Sequence, residues 1–102
     1  MTHAKTLHQA ILGRLSTVID PETGIDVVQM QLVEGLTVDE QGWVRYRFRP
    51  SSPVCPLAVS IALAIQTAVS EVAGITGQDL EVVDYVQAEA LTALLRKERA
   101  RS

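Results

Sequence analysis

The chain carries a single cysteine, Cys55, in 102 residues. That excludes an internal disulfide and any metal site that needs several thiolates from one chain. Aromatic residues are scarce as well, at 4%, so a core has to be assembled from Val, Leu, Ile and Ala. Positive charge is not in excess: 9 Lys and Arg stand against 12 Asp and Glu, for a net charge of −3. This argues against a dedicated nucleic-acid binder. No uncharged run suits a bilayer, because the longest, Pro50 to Ser70, has three prolines in its first seven residues and Ser60, Gln66, Thr67 and Ser70 after them. Met1 to Gln9 is polar and predicts no secretory signal. The expectation is a cytoplasmic protein with neither membrane nor nucleic acid among its partners.

Apolar residues make up 47% of the chain, too many for intrinsic disorder. The length predicts one domain over 1–102, with a core over about 6–86 and a C-terminal helix over about 88–100. A domain this small has a thin stability margin, and a homodimer is expected.

Thr6 with Gln9 three residues on forms a capping-box pattern, and Leu7, Ile11, Leu15 and Val18 share a helical face. A first helix is predicted from Thr6 to near Ile19, stopped by Asp20 before Pro21. Asp20 to Gly24 reads as a turn. A short apolar passage through Val27, Val28 and Met30 leads to a strand from Leu32 to Val38, a loop at Asp39 to Gly42, and a return strand from Trp43 to Arg49. Val44, Tyr46 and Phe48 alternate with Trp43, Arg45, Arg47 and Arg49, so one face is apolar and the other basic. Pro50 to Pro56 is a stiff loop. Pro56 suits the first position of a helix that runs to about Ala73, apolar on nearly every side and therefore buried against a sheet and a partner chain. A third strand is predicted over Leu80 to Val86 and a last helix over Ala88 to Arg101. The order helix-strand-strand-helix-strand-helix gives an α+β, two-layer α/β sandwich with a three-stranded mixed sheet.

Cys55 stands at the entrance of the second helix, where free N–H groups and the helix dipole favour the thiolate that attacks electrophiles and binds metals. Ser51 and Ser52 add hydroxyls to the same loop, which Pro53 and Pro56 stiffen. The competing reading takes Cys55 as a small buried hydrophobe. Asp20 and Glu22 flank a proline and could ligate a hard metal or move a proton, yet an Asp before Pro also serves simply to stop a helix, and spacing alone favours the turn. Arg45, Arg47 and Arg49 read as a solvated sheet face, with an anion-steering role left open by their nearness to the Cys55 loop. His3 and His8 do not share a helix face. No phosphate loop, Ser/His/Asp set or paired-cysteine motif is present.

Asp20-Pro21-Glu22 after a first helix, with Ser52-Pro53-Val54-Cys55-Pro56 before a second, resembles the iron–sulfur cluster assembly domain family, also called metal–sulfur cluster biosynthetic proteins, of the Suf-system accessory and cytosolic targeting types. The likeness covers about Leu7 to Val86. The family's segment after the acidic motif often reads Asp-Leu-Gly-Leu, where this chain has Gln29-Met30-Gln31-Leu32, so Gln31 replaces a glycine. The chain also lacks the Cys-rich C-terminal extension of the phenylacetate-oxygenase branch.

The resemblance implies an assembly or transfer factor for iron–sulfur clusters, a carrier or targeting adaptor rather than a turnover enzyme. Cys55 would be the metal-ligating thiolate, with Asp20 and Glu22 tuning or completing the site. The cargo would be a transient iron–sulfur cluster or iron, with none firmly bound per monomer. The partners would be the assembly machinery and client apoproteins. Two rivals remain: an interaction module that never touches metal, and a thiol redox protein.

Overall fold

The computed structural model describes the backbone of residues 2–101 and the side chains of residues 5–97. Along the chain run α1 (Thr2–Leu15), β1 (Val33–Val38), β2 (Trp43–Phe48), α2 (Ala58–Ser70), β3 (Gly77–Val82) and α3 (Ala88–Arg101). The sheet order is β1-β2-β3, with β1 antiparallel and β3 parallel to β2. The expected α+β class and element order are therefore observed.

The alternation in β2 decides which face is covered. Val44, Tyr46 and Phe48 are buried together with Gln78, Leu80 and Val82 of β3, while Arg45, Arg47 and Glu81 face out. Ile11 and Leu15 of α1 and Ile61, Ile65 and Val69 of α2 close the apolar side. Aliphatic residues dominate this core and Phe48 is its largest fully buried side chain. α3 lies along the outer edge of β3: Leu91 and Leu95 join the core, and Thr92 Oγ1 accepts the Val82 N–H at 2.9 Å. The helix thereby satisfies a donor that an edge strand would leave open.

A polar chain that begins in the core ties four elements together. Tyr46 Oη donates to Gln78 Oε1 at 2.6 Å, Gln78 Nε2 donates to the Gln66 carbonyl at 2.9 Å, and Gln66 Nε2 donates to the Leu95 carbonyl at 2.9 Å. Burial, reinforced by the charge of Asp79, pushes the Tyr46 phenol far above its ordinary range and keeps it a neutral donor.

Element boundaries depart from the sequence expectation in α1, α2 and β3. α1 starts at Thr2, so Thr6 lies inside the helix instead of capping it, and it ends at Leu15 instead of Ile19. Past Leu15 the chain is claimed by another pairing: Val27 N–H donates to Val18 O at 3.0 Å, and Asp20 N–H to Ile25 O at 3.0 Å. α2 begins two residues after Pro56 and stops at Ser70, short of Ala73; Val59 stands 41% exposed, so one side of it faces solvent. β3 runs from Gly77 to Val82, beginning before Leu80 and stopping short of Val86. A Cβ at Gly77 would lie 2.2 Å from Trp43 Cζ3, so this glycine marks a close approach within a strand and not its boundary.

Candidate functional site

The carboxyl ends of the parallel strands β2 and β3 and the amino end of antiparallel β1 lie at one end of the sheet. Three connections meet there: residues 26–32 into β1, residues 49–57 out of β2, and residues 83–87 out of β3. In open sheets with parallel strands this end is the usual place for function.

The segment at 26–31 is a single capped helical turn, where the sequence suggests only a plain apolar passage. Asp26 Oδ1 accepts the N–H groups of Val28 and Gln29 at 2.9 and 3.0 Å, and Asp26 Oδ2 accepts from Gln29 Nε2. At the other end Leu32 N–H donates to Val27 O at 3.0 Å and Gln31 N–H to Val28 O at 3.1 Å. This is the paired bonding of a Schellman cap, and it places Gln31 in the left-handed region with φ of 59°. The spacing Asp26-x-x-Gln29 is the legible signal for it.

The turn makes two substitutions informative. Gln31→Gly relieves a left-handed conformation that costs an L-residue about 1–2 kcal/mol, offset in part by the greater freedom of glycine in the unfolded chain; a net gain of about 0.5–1 kcal/mol in urea unfolding is expected. The hydrogen bonds from Gln29, backbone first and side chain second, hold the Asp26 carboxyl below its ordinary value of 3.8. A depressed carboxyl stabilises the fold at pH above its unfolded value, and that contribution is lost as pH falls through the folded value. Wild type should therefore lose stability below about pH 4 more steeply than Asp26→Asn, as read by thermal midpoints across acid pH.

Asp20 is 1% exposed. Its Oδ1 accepts the Glu22 N–H at 2.8 Å, its carbonyl accepts the Gly24 N–H at 2.8 Å, and Glu22 itself is exposed. Within this turn the carboxylate shapes the backbone of the acidic motif, as an Asx turn does.

Cys55 is 3% exposed and packs in the core. Its N–H donates to Ser52 O at 3.2 Å and its carbonyl accepts the Ala58 N–H at 3.3 Å. The helix starts at Ala58 with Leu57 as N-cap and no side-chain cap. The thiol thus lies two residues upstream of the cap, further from the free N–H groups of α2 than a helix-entrance cysteine would be. Ser52 Oγ accepts the Val54 N–H at 3.1 Å; Ser51, Pro53 and Pro56 are exposed, and Val54 is 68% exposed. Beside the loop, Met30, Gln31, Leu32, Glu34, Arg49 and Ser51 line an open depression of about 560 Å³.

The basic stripe is exposed as expected, and two of its three members have carboxylate partners. Arg47 Nε is 3.5 Å from Glu34 Oε1; Arg49 Nη2 is 3.2 Å from the same oxygen, and Arg49 Nε is 3.1 Å from Asp84 Oδ2. Among the described residues, no group of three or more His, Cys, Asp or Glu side chains is placed to hold a metal ion. Cys55, Asp20 and Glu22 are thus not assembled into a ready three-ligand cradle. The side chain of His3 lies outside the described residues. No helix among them is long and apolar enough to cross a membrane.

Comparison with known proteins agrees with the motif order. The chain is 30% identical over 79 residues to the Fe–S protein maturation auxiliary factor YitW of Bacillus subtilis, covering 78% of each protein. It is 33% identical over 66 residues to the Fe–S protein maturation auxiliary factor SufT of Staphylococcus aureus, covering 65% of this chain and 75% of that one. The crystal structure of a domain of unknown function from Bacillus anthracis superposes with a TM-score of 0.73 at 26% identity, covering 80% of this chain and 78% of that one. Residues 8–82 match the family described as iron–sulfur cluster assembly protein, and the chain belongs to that family.

Proposed function

We propose that this chain acts in the cytoplasm in the maturation of iron–sulfur proteins, as a carrier or targeting adaptor rather than a turnover enzyme, with Cys55 as its working thiolate. The observation that carries the reading is the position of Cys55. The only thiol of the chain stands in a proline-bounded loop at the carboxyl end of the parallel strands. Membership of the assembly family and likeness to two maturation factors support it. Iron or a cluster is the cargo. A four-iron cluster is usually held by four thiolates, and one chain supplies one, so the ligand set is completed by a second copy together with small thiols or a client's own cysteines. Asp20 supports the acidic turn from within, and Glu22, exposed on it, is the carboxylate of that motif available to tune the site.

The burial of Cys55 favours one rival specifically, a docking module that never touches metal. Anaerobic reconstitution separates them. Wild type should develop thiolate-to-iron absorption with matching iron and sulfide, and Cys55→Ala should not. Equal absorption in both overturns the ligand role and leaves the docking module.

A further inference from the structure

Three successive links join the chain leaving β2 to the chain leaving β3. Val83 N–H donates to Phe48 O at 3.0 Å, Arg49 Nε pairs with Asp84 Oδ2 at 3.1 Å, and Val86 N–H donates to Pro53 O at 2.8 Å. Arg49 also reaches Glu34 of β1 at 3.2 Å, so one guanidinium holds a strand on one side and a loop on the other. Asp84 takes this position in the left-handed region, with φ of 53°. Cys55 belongs to the loop that the last of these bonds ties down, and it is 3% exposed. A thiol so buried meets a reagent or a client only on local opening, and lifting residues 50–57 would break the Val86–Pro53 bond.

We propose that Glu34, Arg49 and Asp84 form an ionic clasp that keeps the Cys55 loop closed over its thiol, which makes Arg49 a positioning residue for the handover thiolate. The inference rests on the reading that Cys55 is the working thiol. The Arg49 and Asp84 side chains are 51% and 63% exposed, so the pairs are weak and salt-screened, as a reversible clasp requires.

The test is the rate of Cys55 alkylation by iodoacetamide on the folded full chain, monitored together with hydrogen exchange at the Val86 amide. Labelling of a transiently opened site tracks its open population. Raising sodium chloride from about 20 mM to about 500 mM should speed wild-type labelling about three- to tenfold by screening the clasp. Arg49→Gln should label faster than wild type by about the same factor and lose the salt response. The sign is diagnostic: without a clasp, Arg49→Gln opens nothing and labels no faster than wild type. Asp84→Asn, which keeps a side chain tolerant of positive φ, should accelerate both labelling and Val86 exchange with the urea midpoint nearly unchanged.

Unchanged or slower labelling in Arg49→Gln overturns the clasp. So does acceleration matched by core amides such as Val44, which would report global unfolding. Either result leaves the role of Cys55 in cluster assembly to the reconstitution experiment, whose failure would in turn leave the clasp standing as a feature of the loop.

Discussion

Gly42→Ala should lower the stability of this protein by about 2–4 kcal/mol, and its thermal midpoint by about 10 °C or more. Gly42 ends the loop between β1 and β2 with φ of 88°, and a Cβ there would lie 2.3 Å from the Gly74 carbonyl oxygen. Two penalties coincide: a left-handed conformation for an L-residue, and a clash with backbone that has no side-chain rotamer to escape into. The same contact organises the approach to β3. Thr76 N–H donates to Gly42 O and Thr76 Oγ1 to Gln41 O, both at 3.0 Å, which brings the chain entering that strand against the hairpin. Moving Gly74 would disturb the register that seats Trp43 over Gly77. The total stability of a small domain is about 5–15 kcal/mol, so this one methyl group removes a large part of it. A midpoint within about 2 °C of wild type would show that the contact is slack.

Cys55→Ala should behave in the opposite way, with a small effect on the fold and a large one on function. Cys55 is buried, so losing its sulfur removes packing and leaves a small void, at a cost of about 1 kcal/mol. No side-chain hydrogen bond of the loop depends on the thiol; the loop is held by Ser52 Oγ, by backbone turns and by Val86. If the residue were only a small core hydrophobe, alanine would be a near-complete replacement. A folded Cys55→Ala protein that cannot support maturation therefore assigns the lost function to the sulfur and not to the structure around it.

The sheet is legible in the sequence because its signals are local. The alternation Val44-Arg45-Tyr46-Arg47-Phe48 fixes both the face and the strand, and Asp39 to Gly42 reads as a turn without reference to any distant residue. The features that escape a sequence reading are set by partners far along the chain. Gly77 looks like a breaker until Trp43 is seen above it, and α1 looks longer until Val18 and Asp20 are seen pairing with Val27 and Ile25. The Asp26–Gln31 turn does carry a local signal, but the apolar residues between its caps mask it.

The site divides the same way. Cys55, Asp20 and Glu22 stand out in the sequence as candidates, since their types and spacing carry the family likeness. That Asp20 serves its own turn is legible too, because the bonds are local; that Cys55 is covered and that Arg49 joins Glu34 to Asp84 depend on how loops converge at one end of the sheet. No spacing rule reports such convergence.

The central claim is that this chain matures iron–sulfur proteins through the Cys55 sulfur. Its most direct test is the activity of an iron–sulfur enzyme in host cells that lack the chain and are resupplied with wild type or Cys55→Ala at equal, folded abundance. The account predicts that wild type restores the activity and that Cys55→Ala leaves it at the level of cells given nothing. Full restoration by Cys55→Ala would contradict it and make the protein an adaptor that works without its thiol.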